Sequence, residues 1–192
     1  MTRHNRRVAE TSVTTEKLLL VEYERLKDEQ KTRIGFRDNL IYATLGSMAG
    51  VVGATLTPKG NLGLLLLLPP VCLVLGWTYL VNDEKVSAIG RYLRLTVAPK
   101  LSELAGATGD EAAAVFGWEV AHRSDPDRLV RKYSQLAIDL GTFCVPALTA
   151  LVIYWVAGPH RGDLMTVSVA EALAIAALAV QMIRYADLAR ER

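Results

Sequence analysis

The sequence predicts an all-α helical membrane protein with two transmembrane hairpins and additional amphipathic helices in the cytoplasm. Four apolar stretches of 17 to 20 residues are nearly free of charge, and the segments between them are rich in charge. A membrane-crossing helix needs about 20 largely apolar residues, because the bilayer core offers no water to the backbone amides. The overall hydrophobic content of 51% would also fit a soluble protein. The distribution of these residues along the chain therefore carries the prediction.

The four predicted spans differ in strength. They cover residues 40–56, 62–81, 140–157 and 164–183. The second and third are strongly apolar, whereas the first is short and weakly hydrophobic, and the fourth contains Glu171. Two interpretations stay open for the first and fourth stretches, which are either membrane spans or buried helices of a soluble protein.

Basic residues predict the orientation of the spans. Of the 22 Lys and Arg residues, only Lys59 and Arg161 lie in the two short connections. Lys and Arg accumulate on the cytoplasmic side of membrane helices, so both termini and the central segment are predicted to be cytoplasmic, with the chain in the cell (inner or plasma) membrane. The predicted parts are a cytoplasmic tail with an amphipathic helix (1–39), the first hairpin (40–81), a cytoplasmic helical segment (82–139), the second hairpin (140–183) and a cytoplasmic tail (184–192).

An amphipathic helix is predicted over residues 16–39, with Thr15 as its N-cap and a weak point at Gly35. Its apolar stripe is narrow, and mixed charges cover the remaining surface. We favour packing against a neighbouring helix over a position on the membrane surface. The stripe contains Leu19, Tyr23, Leu26, Gln30, Ile34 and Arg37.

The central segment predicts further helices. One follows the second span and is bent or interrupted at Pro99, because proline lacks the backbone N–H group that the helix needs. Glycines near residue 106 predict a turn, and two short helices follow over residues 111–123 and 125–138. The helix that follows the second span has an apolar face, which consists of Val86, Ile89, Leu93, Val97, Leu101 and Leu104.

Charged residues cluster at the predicted inner ends of the four spans, and we call this set the charge collar. At the reduced dielectric of the interface, opposite charges are expected to pair and hold the helix ends together. A static collar is favoured over a gate whose rearrangement opens a path between helices. The collar consists of Arg37, Asp38, Asp83, Glu84, Asp139, Arg184 and Asp187.

Glu171 is the one acidic residue well inside a predicted span, and Ser168 and Gln181 continue its face. An ionisable group within a membrane faces protein or water and marks a candidate functional site. The two interpretations are an ion or proton pathway and a structural, hydrogen-bonded glutamate, of which we favour the second.

Small residues predict close helix packing along the first span. Gly46, Gly50 and Gly53 lie three and four residues apart, a spacing that lets helix backbones approach each other. The partner is either the second span of the same hairpin or another copy of the chain. Pro69-Pro70 and Pro146 are expected to disturb the second and third spans.

The sequence contains no motif for catalysis, metal binding or cofactor binding. Its three histidines lie in separate segments, and Cys72 and Cys144 are isolated within apolar stretches, where we predict free thiols. A net charge of only +2 gives no reason to expect a nucleic-acid partner. The expected partners are the lipid bilayer, further copies of the chain and a cytoplasmic protein.

Two strings carry a resemblance to a known family. Residues 17–45, KLLLVEYERLKDEQKTRIGFRDNLIYATL, and residues 75–93, LGWTYLVNDEKVSAIGRYL, resemble small, uncharacterised four-span membrane proteins of bacteria, common in actinobacteria. The resemblance implies residence in the bacterial inner membrane and no established activity. The chain has a looser likeness to the multi-span membrane effectors of bacterial conflict systems.

These observations predict a protein without enzymatic activity. The leading hypothesis is an oligomeric membrane module, a pore or a membrane-perturbing effector controlled through its cytoplasmic helices. The alternative is a membrane scaffold or anchor that recruits a cytoplasmic partner. A small transporter is the third hypothesis. It ranks below the other two because four spans with one buried acid offer little room for a pathway.

Overall fold

The computed structural model describes residues 14–107, 128–159 and 161–186. These ranges consist of helices joined by short turns, without a β-strand, which confirms the predicted all-α class. The predicted helix over residues 111–123 lies outside the described residues, as does Asp187.

The first helix, α1, runs without a break from Thr15 to Thr55 over 41 residues. The Thr14 hydroxyl oxygen accepts a hydrogen bond from the Lys17 amide at 3.3 Å, so the cap lies one residue before the predicted Thr15. Gly35 does not interrupt the helix. The predicted amphipathic helix and the first apolar stretch therefore form a single element.

The second apolar stretch begins as a 3₁₀ helix, Leu62–Leu67, and continues as α2, Leu68–Tyr92. The Asn61 side chain starts the 3₁₀ helix by accepting a hydrogen bond from the Gly63 amide at 2.7 Å. Pro69-Pro70 lies in the first turn of α2, where a missing backbone N–H group removes no intrahelical bond. The predicted disturbance at these prolines is thus a change from 3₁₀ to α geometry.

A π-helical turn, Leu93–Val97, joins α2 to α3, Ala98–Leu104. The hydrogen-bonded ring of a π turn is wider than that of an α-helix, and here it lies just before Pro99. The chain therefore continues as a helix and does not stop at the proline. Gly106 then adopts a left-handed φ of 71°, and the Ala107 amide donates to the Ser102 carbonyl at 3.1 Å. This is a glycine-dependent helix end, which agrees with the predicted turn.

The third apolar stretch is divided. Helix α4, Arg128–Phe143, ends one residue before Cys144, and α5, Val145–Ala157, begins beyond it. Pro146 in the first turn of α5 explains the break, because its ring cannot fit inside a continuous helix. The last helix, α6, is Gly162–Tyr185.

The chain divides into two compact units. The first contains residues 1–32 and 86–124, and the second contains residues 33–85 and 125–192. Within the described part of the first unit, the Gln30 amide donates to the Val86 carbonyl at 3.2 Å. This contact supports helix-to-helix packing of the amphipathic stripe.

The two predicted apolar stripes, on α1 and on the helices that follow residue 85, each need a correction at one end. Ile34, at the end of the first stripe, is 40% exposed, whereas Arg33 and Arg37 are half-buried and continue the packed face. Leu104 is 50% exposed, because the π turn contains an extra residue and moves the buried face to Ala98 and Ser102.

The core of the second unit is apolar and formed by all of its helices. The Tyr79 and Phe143 rings pack with their centroids 5.1 Å apart. Cys72 and Cys144 are free, buried thiols, as the sequence predicts. The core consists of Leu40, Leu65, Leu68, Cys72, Tyr79, Leu80, Phe143, Cys144, Ala147, Ala150, Ile175, Leu178 and Met182.

Three helical stretches among the described residues are long and apolar enough to cross a membrane. They are Leu62–Leu104, Leu129–Ala157 and Gly162–Tyr185, and they contain the second, third and fourth predicted spans. Helix α1 is not among them, so the first predicted span stays a prediction. Large apolar side chains also point away from the protein, with Val156 77% exposed and Leu173 69% exposed. A surface of this kind is typical of contact with lipid.

Candidate functional site

Part of the predicted charge collar forms one cluster in the second unit. Arg37 Nη1 lies 2.8 Å from Asp83 Oδ1, and Arg37 Nε lies 3.8 Å from Asp38 Oδ1. The shorter contact is a charge-assisted hydrogen bond between half-buried side chains, whereas the longer one is beyond hydrogen-bonding distance. The Arg37–Asp83 pair therefore connects α1 to α2.

Burial is the largest single influence on the Arg37 guanidinium and disfavours its charged form, but the hydrogen bond to Asp83 and the attraction of nearby groups together outweigh it. The pKa of Arg37 is raised above its ordinary value as a result, with smaller contributions from Tyr79 and Asp38. The Arg37 guanidinium also lies 6.0 Å from the centroid of the Tyr79 ring. This distance is within the range of a cation–π contact.

A second connection between α1 and α2 was not predicted. The Asn82 amide donates to the Arg33 main-chain carbonyl at 2.7 Å, and the Arg33 guanidinium donates to Asn82 Oδ1 at 3.3 Å. Asn82 is 5% exposed. One sequence feature could have predicted this connection. Asn82 is the first polar residue after the second apolar stretch, and its predicted depth is the same as that of the arginines of α1.

Asp139 extends this cluster from α4. Its carboxylate is a hydrogen-bonding neighbour of the Tyr79 hydroxyl, which also contacts Gln135. Asp139 Oδ1 is buried and has no hydrogen-bond partner among the described residues, and the same is true of Arg37 Nε. Two polar atoms with unused bonding capacity therefore belong to neighbouring side chains.

These side chains line an open cavity of about 350 Å³, which we call the interface groove. All of its lining residues belong to the second unit. Its lining combines three charged, three apolar and three uncharged polar side chains, namely Arg37, Arg131, Asp139, Ile41, Val130, Ile138, Tyr79, Ser134 and Gln135.

The other members of the charge collar do not line this groove. Glu84 and Arg184 are exposed on α2 and α6. Among the residues that the structure describes, the collar is therefore a compact cluster at Arg37, Asp38, Asp83 and Asp139.

Of the predicted polar site at Glu171, Ser168 and Gln181, the structure gives hydrogen-bond partners to Ser168. The Trp155 indole donates to the Ser168 hydroxyl at 2.8 Å, and Ser168 donates to the Met165 carbonyl at 2.8 Å. Ser168 is thus fully buried within a structural hydrogen-bond chain. Glu171 is half-buried, and its Oε2 has no hydrogen-bond partner in the described ranges. Gln181 is half-buried further along α6.

The glycines of the first apolar stretch face away from the core. A Cβ atom added at Gly46, Gly50 or Gly53 would meet nothing within 4 Å. The close approach between helices occurs instead at Gly76, where a Cβ atom would lie 2.8 Å from Leu178 Cδ2. The second span of the same chain is therefore not the partner of the three glycines.

No protein-family model, curated protein or solved structure matches this chain. Within the described ranges, no group of three His, Cys, Asp or Glu side chains is arranged to hold a metal ion. Over residues 14–107, 128–159 and 161–186 the chain is all-α, and three of its helical stretches are long and apolar enough to cross a membrane.

Proposed function

We propose that this chain is a non-enzymatic integral membrane protein that crosses the bilayer four times and works as a homo-oligomer. Both termini and residues 82–139 lie in the cytoplasm, and the chain belongs to the bacterial inner membrane. The assembled module forms a pore or perturbs the membrane, and its cytoplasmic helices control it. The observation that carries the proposal is the unoccupied glycine face of α1.

Helix α1 has the two surfaces that a fourth span requires. Leu40 and Thr44 are buried on its core side. Its other sides carry exposed apolar residues, of which Leu45 is 48% and Val52 42% exposed. The apolar end of the helix is rich in glycine and alanine, which suit contacts between membrane helices better than contacts with lipid.

The glycine face supports association of copies. Gly46, Gly50 and Gly53 form a smooth strip on the side of α1 opposite Thr44, and no side chain in the described part of the chain covers them. Two helices that meet through such strips gain close backbone packing. A second copy supplies the same strip, as a two-fold symmetric interface requires.

The first unit suits the reception of a signal or partner. The Tyr92 hydroxyl donates to the Glu22 carboxylate at 2.8 Å, and the Gln30–Val86 bond lies about two turns away. Exposed apolar side chains beside these contacts, including Leu18 and Leu95, offer a binding surface to a cytoplasmic protein.

The oligomeric state and ion flux test the proposal. The purified chain should behave as an oligomer in detergent by light scattering and should release a trapped dye or ion from liposomes. Replacing Gly46 and Gly50 together with Ile should shift the chain to monomers and reduce the flux. The matched control replaces Ala170 and Ala177, two exposed small residues of α6, with Ile.

A stable wild-type monomer without flux would overturn the pore and support the alternative, a scaffold that recruits a cytoplasmic partner. A small transporter would instead show saturable uptake of one solute. The support for that third function is the Glu171 Oε2 atom, which has no hydrogen-bond partner among the described residues.

A further inference from the structure

Helix α4 carries apolar residues along an exposed side. Val130 is 65% exposed and Tyr133 is 57% exposed, and the exposed residues Ala137 and Gly141 follow at spacings of four. Residues three and four apart are neighbours on the surface of a helix, so these four positions form one face. We call this face the outer stripe.

The charged side chains that the structure describes on α4 lie off the outer stripe. Lys132 and Asp139 are half-buried, and Asp139 faces Tyr79 of α2. Arg131 is exposed, but it lines the interface groove beside the stripe. A helix at the surface of a soluble protein turns its apolar face to the core and its charges to water. The reverse arrangement on α4 indicates apolar surroundings at the outer stripe.

The outer stripe continues along α5 at the same spacing of three or four residues. At the break between the two helices, the Cys144 amide donates to the Leu140 carbonyl at 2.9 Å, and the Cys144 carbonyl accepts from the Leu148 amide at 3.0 Å. These bonds keep the helical spacing through the break. The part of the stripe on α5 consists of four exposed residues, Val145, Leu148, Val152 and Val156.

The length of this helical stretch matches a whole bilayer. Leu129–Ala157 contains 29 residues, which extend at most about 43 Å at 1.5 Å per residue. The hydrocarbon core of a bilayer is about 30 Å thick, and the thickness with both headgroup layers is about 40–45 Å. In the topology proposed above, Ala157 lies at the outer end of the third span. Tyr133 then lies at the level of the inner headgroups, where tyrosine is enriched.

We propose that the outer stripe of α4 contacts lipid in the headgroup layer of the cytoplasmic leaflet. This inference rests on the proposed membrane placement and moves the inner edge of the third span from residue 140 to residue 129. Helix α4 then separates the Arg37–Asp83 pair from the surrounding lipid, because Asp139 belongs to the same cluster and lies off the outer stripe.

Nitroxide labels test the surroundings of the stripe. The full chain, with Cys72 and Cys144 replaced by Ala, is labelled at Tyr133→Cys or at Ala137→Cys and reconstituted into vesicles of phosphatidylethanolamine and phosphatidylglycerol. Collisions of the label with oxygen report lipid, and collisions with a water-soluble nickel chelate report water. We expect both labels to favour oxygen, with the label at residue 137 up to about 6 Å deeper than the label at residue 133.

Two further labels provide the reference values. Lys100→Cys carries its label at an exposed charged position away from the stripe, and this label should favour the chelate. Val152→Cys carries its label on the α5 part of the stripe, inside the third span, and this label should favour oxygen.

Two outcomes would overturn the inference alone. If the labels at residues 133 and 137 collide with the chelate as often as the label at residue 100, the stripe of α4 lies in water. If both labels are immobile and neither reagent reaches them, protein covers the stripe instead of lipid. In both cases an oxygen preference at residue 152 leaves the membrane placement standing. A preference for the chelate at residue 152 would overturn the membrane placement and the inference together.

Discussion

Asn82 and Arg33 exchange two hydrogen bonds across 49 positions of sequence, at 2.7 Å and 3.3 Å, and Asn82 is almost completely buried. The bond from the Asn82 amide to a main-chain carbonyl is independent of the Arg33 rotamer. It therefore fixes the register of α1 against α2 at one point.

Replacing Asn82 with Leu should destabilise the chain by about 1–3 kcal/mol, because the Arg33 carbonyl and guanidinium would each lose a buried partner. Thermal unfolding in detergent, followed by circular dichroism, measures the loss. Glu84→Gln, two residues further along α2 and exposed, should leave the unfolding temperature unchanged. Equal unfolding temperatures for Asn82→Leu and the wild type would contradict a structural role for this pair.

Replacing Gly76 with Ala should destabilise the chain, whereas replacing Gly46 with Ala should stabilise it. Gly76→Ala places a methyl group 2.8 Å from Leu178 Cδ2 and 3.0 Å from Phe143 Cβ, which should cost about 1–3 kcal/mol through overpacking. Gly46→Ala meets nothing within 4 Å, and alanine favours a helix over glycine by up to about 1 kcal/mol. Chemical denaturation at a protein concentration that keeps the chain monomeric compares the two. A destabilising Gly46→Ala under these conditions would show that its face is already covered within one chain.

Cysteine labelling tests the predicted topology. Single cysteines at Lys59 and Arg161 should react with an impermeant reagent from outside the cell, because both residues lie in the short connections. Cysteines at Lys100, which is exposed, and at Arg190 should react only after the membrane is opened. Cys72 and Cys144 are buried and are replaced with Ala to remove the background. Labelling at Lys100 from outside would contradict the four-span arrangement.

Glu171 is expected to be structural rather than part of a pathway. Its half-buried side chain is close to the Ser168 hydrogen-bond chain in sequence, and no second acid accompanies it inside the fourth apolar stretch. Glu171→Gln should leave liposome flux unchanged, whereas Glu171→Leu should alter the unfolding temperature without altering flux. A large loss of flux in Glu171→Gln, with an unchanged unfolding temperature, would instead assign this carboxylate to a conducting path.

The sequence predicts the helices of this chain well because periodicity and proline are local signals. Pro146 predicts the break between α4 and α5, and Gly106 predicts the end of α3. The π turn at residues 93–97 escaped prediction because no residue type marks it, although Pro99 indicates that some adjustment is needed.

Contacts between helices were harder to predict than the helices themselves. Periodicity identifies the buried face of a helix but not the residue opposite it. Gly76 is an example, because its close neighbours Phe143 and Leu178 lie far along the chain. The sequence predicts that the charges of the collar lie near one another, whereas the choice of Asp83 as the partner of Arg37 depends on side-chain reach.

The π turn has a consequence for how related sequences should be aligned. The Ala98 amide donates to the Leu93 carbonyl, five residues back rather than four, so the turn holds one residue more than a regular helix needs. Removing one residue from positions 93–97 would restore ordinary spacing and leave Ala98 and Ser102 facing the same way. We therefore expect insertions and deletions among relatives of this chain to occur inside this helix as well as in its loops.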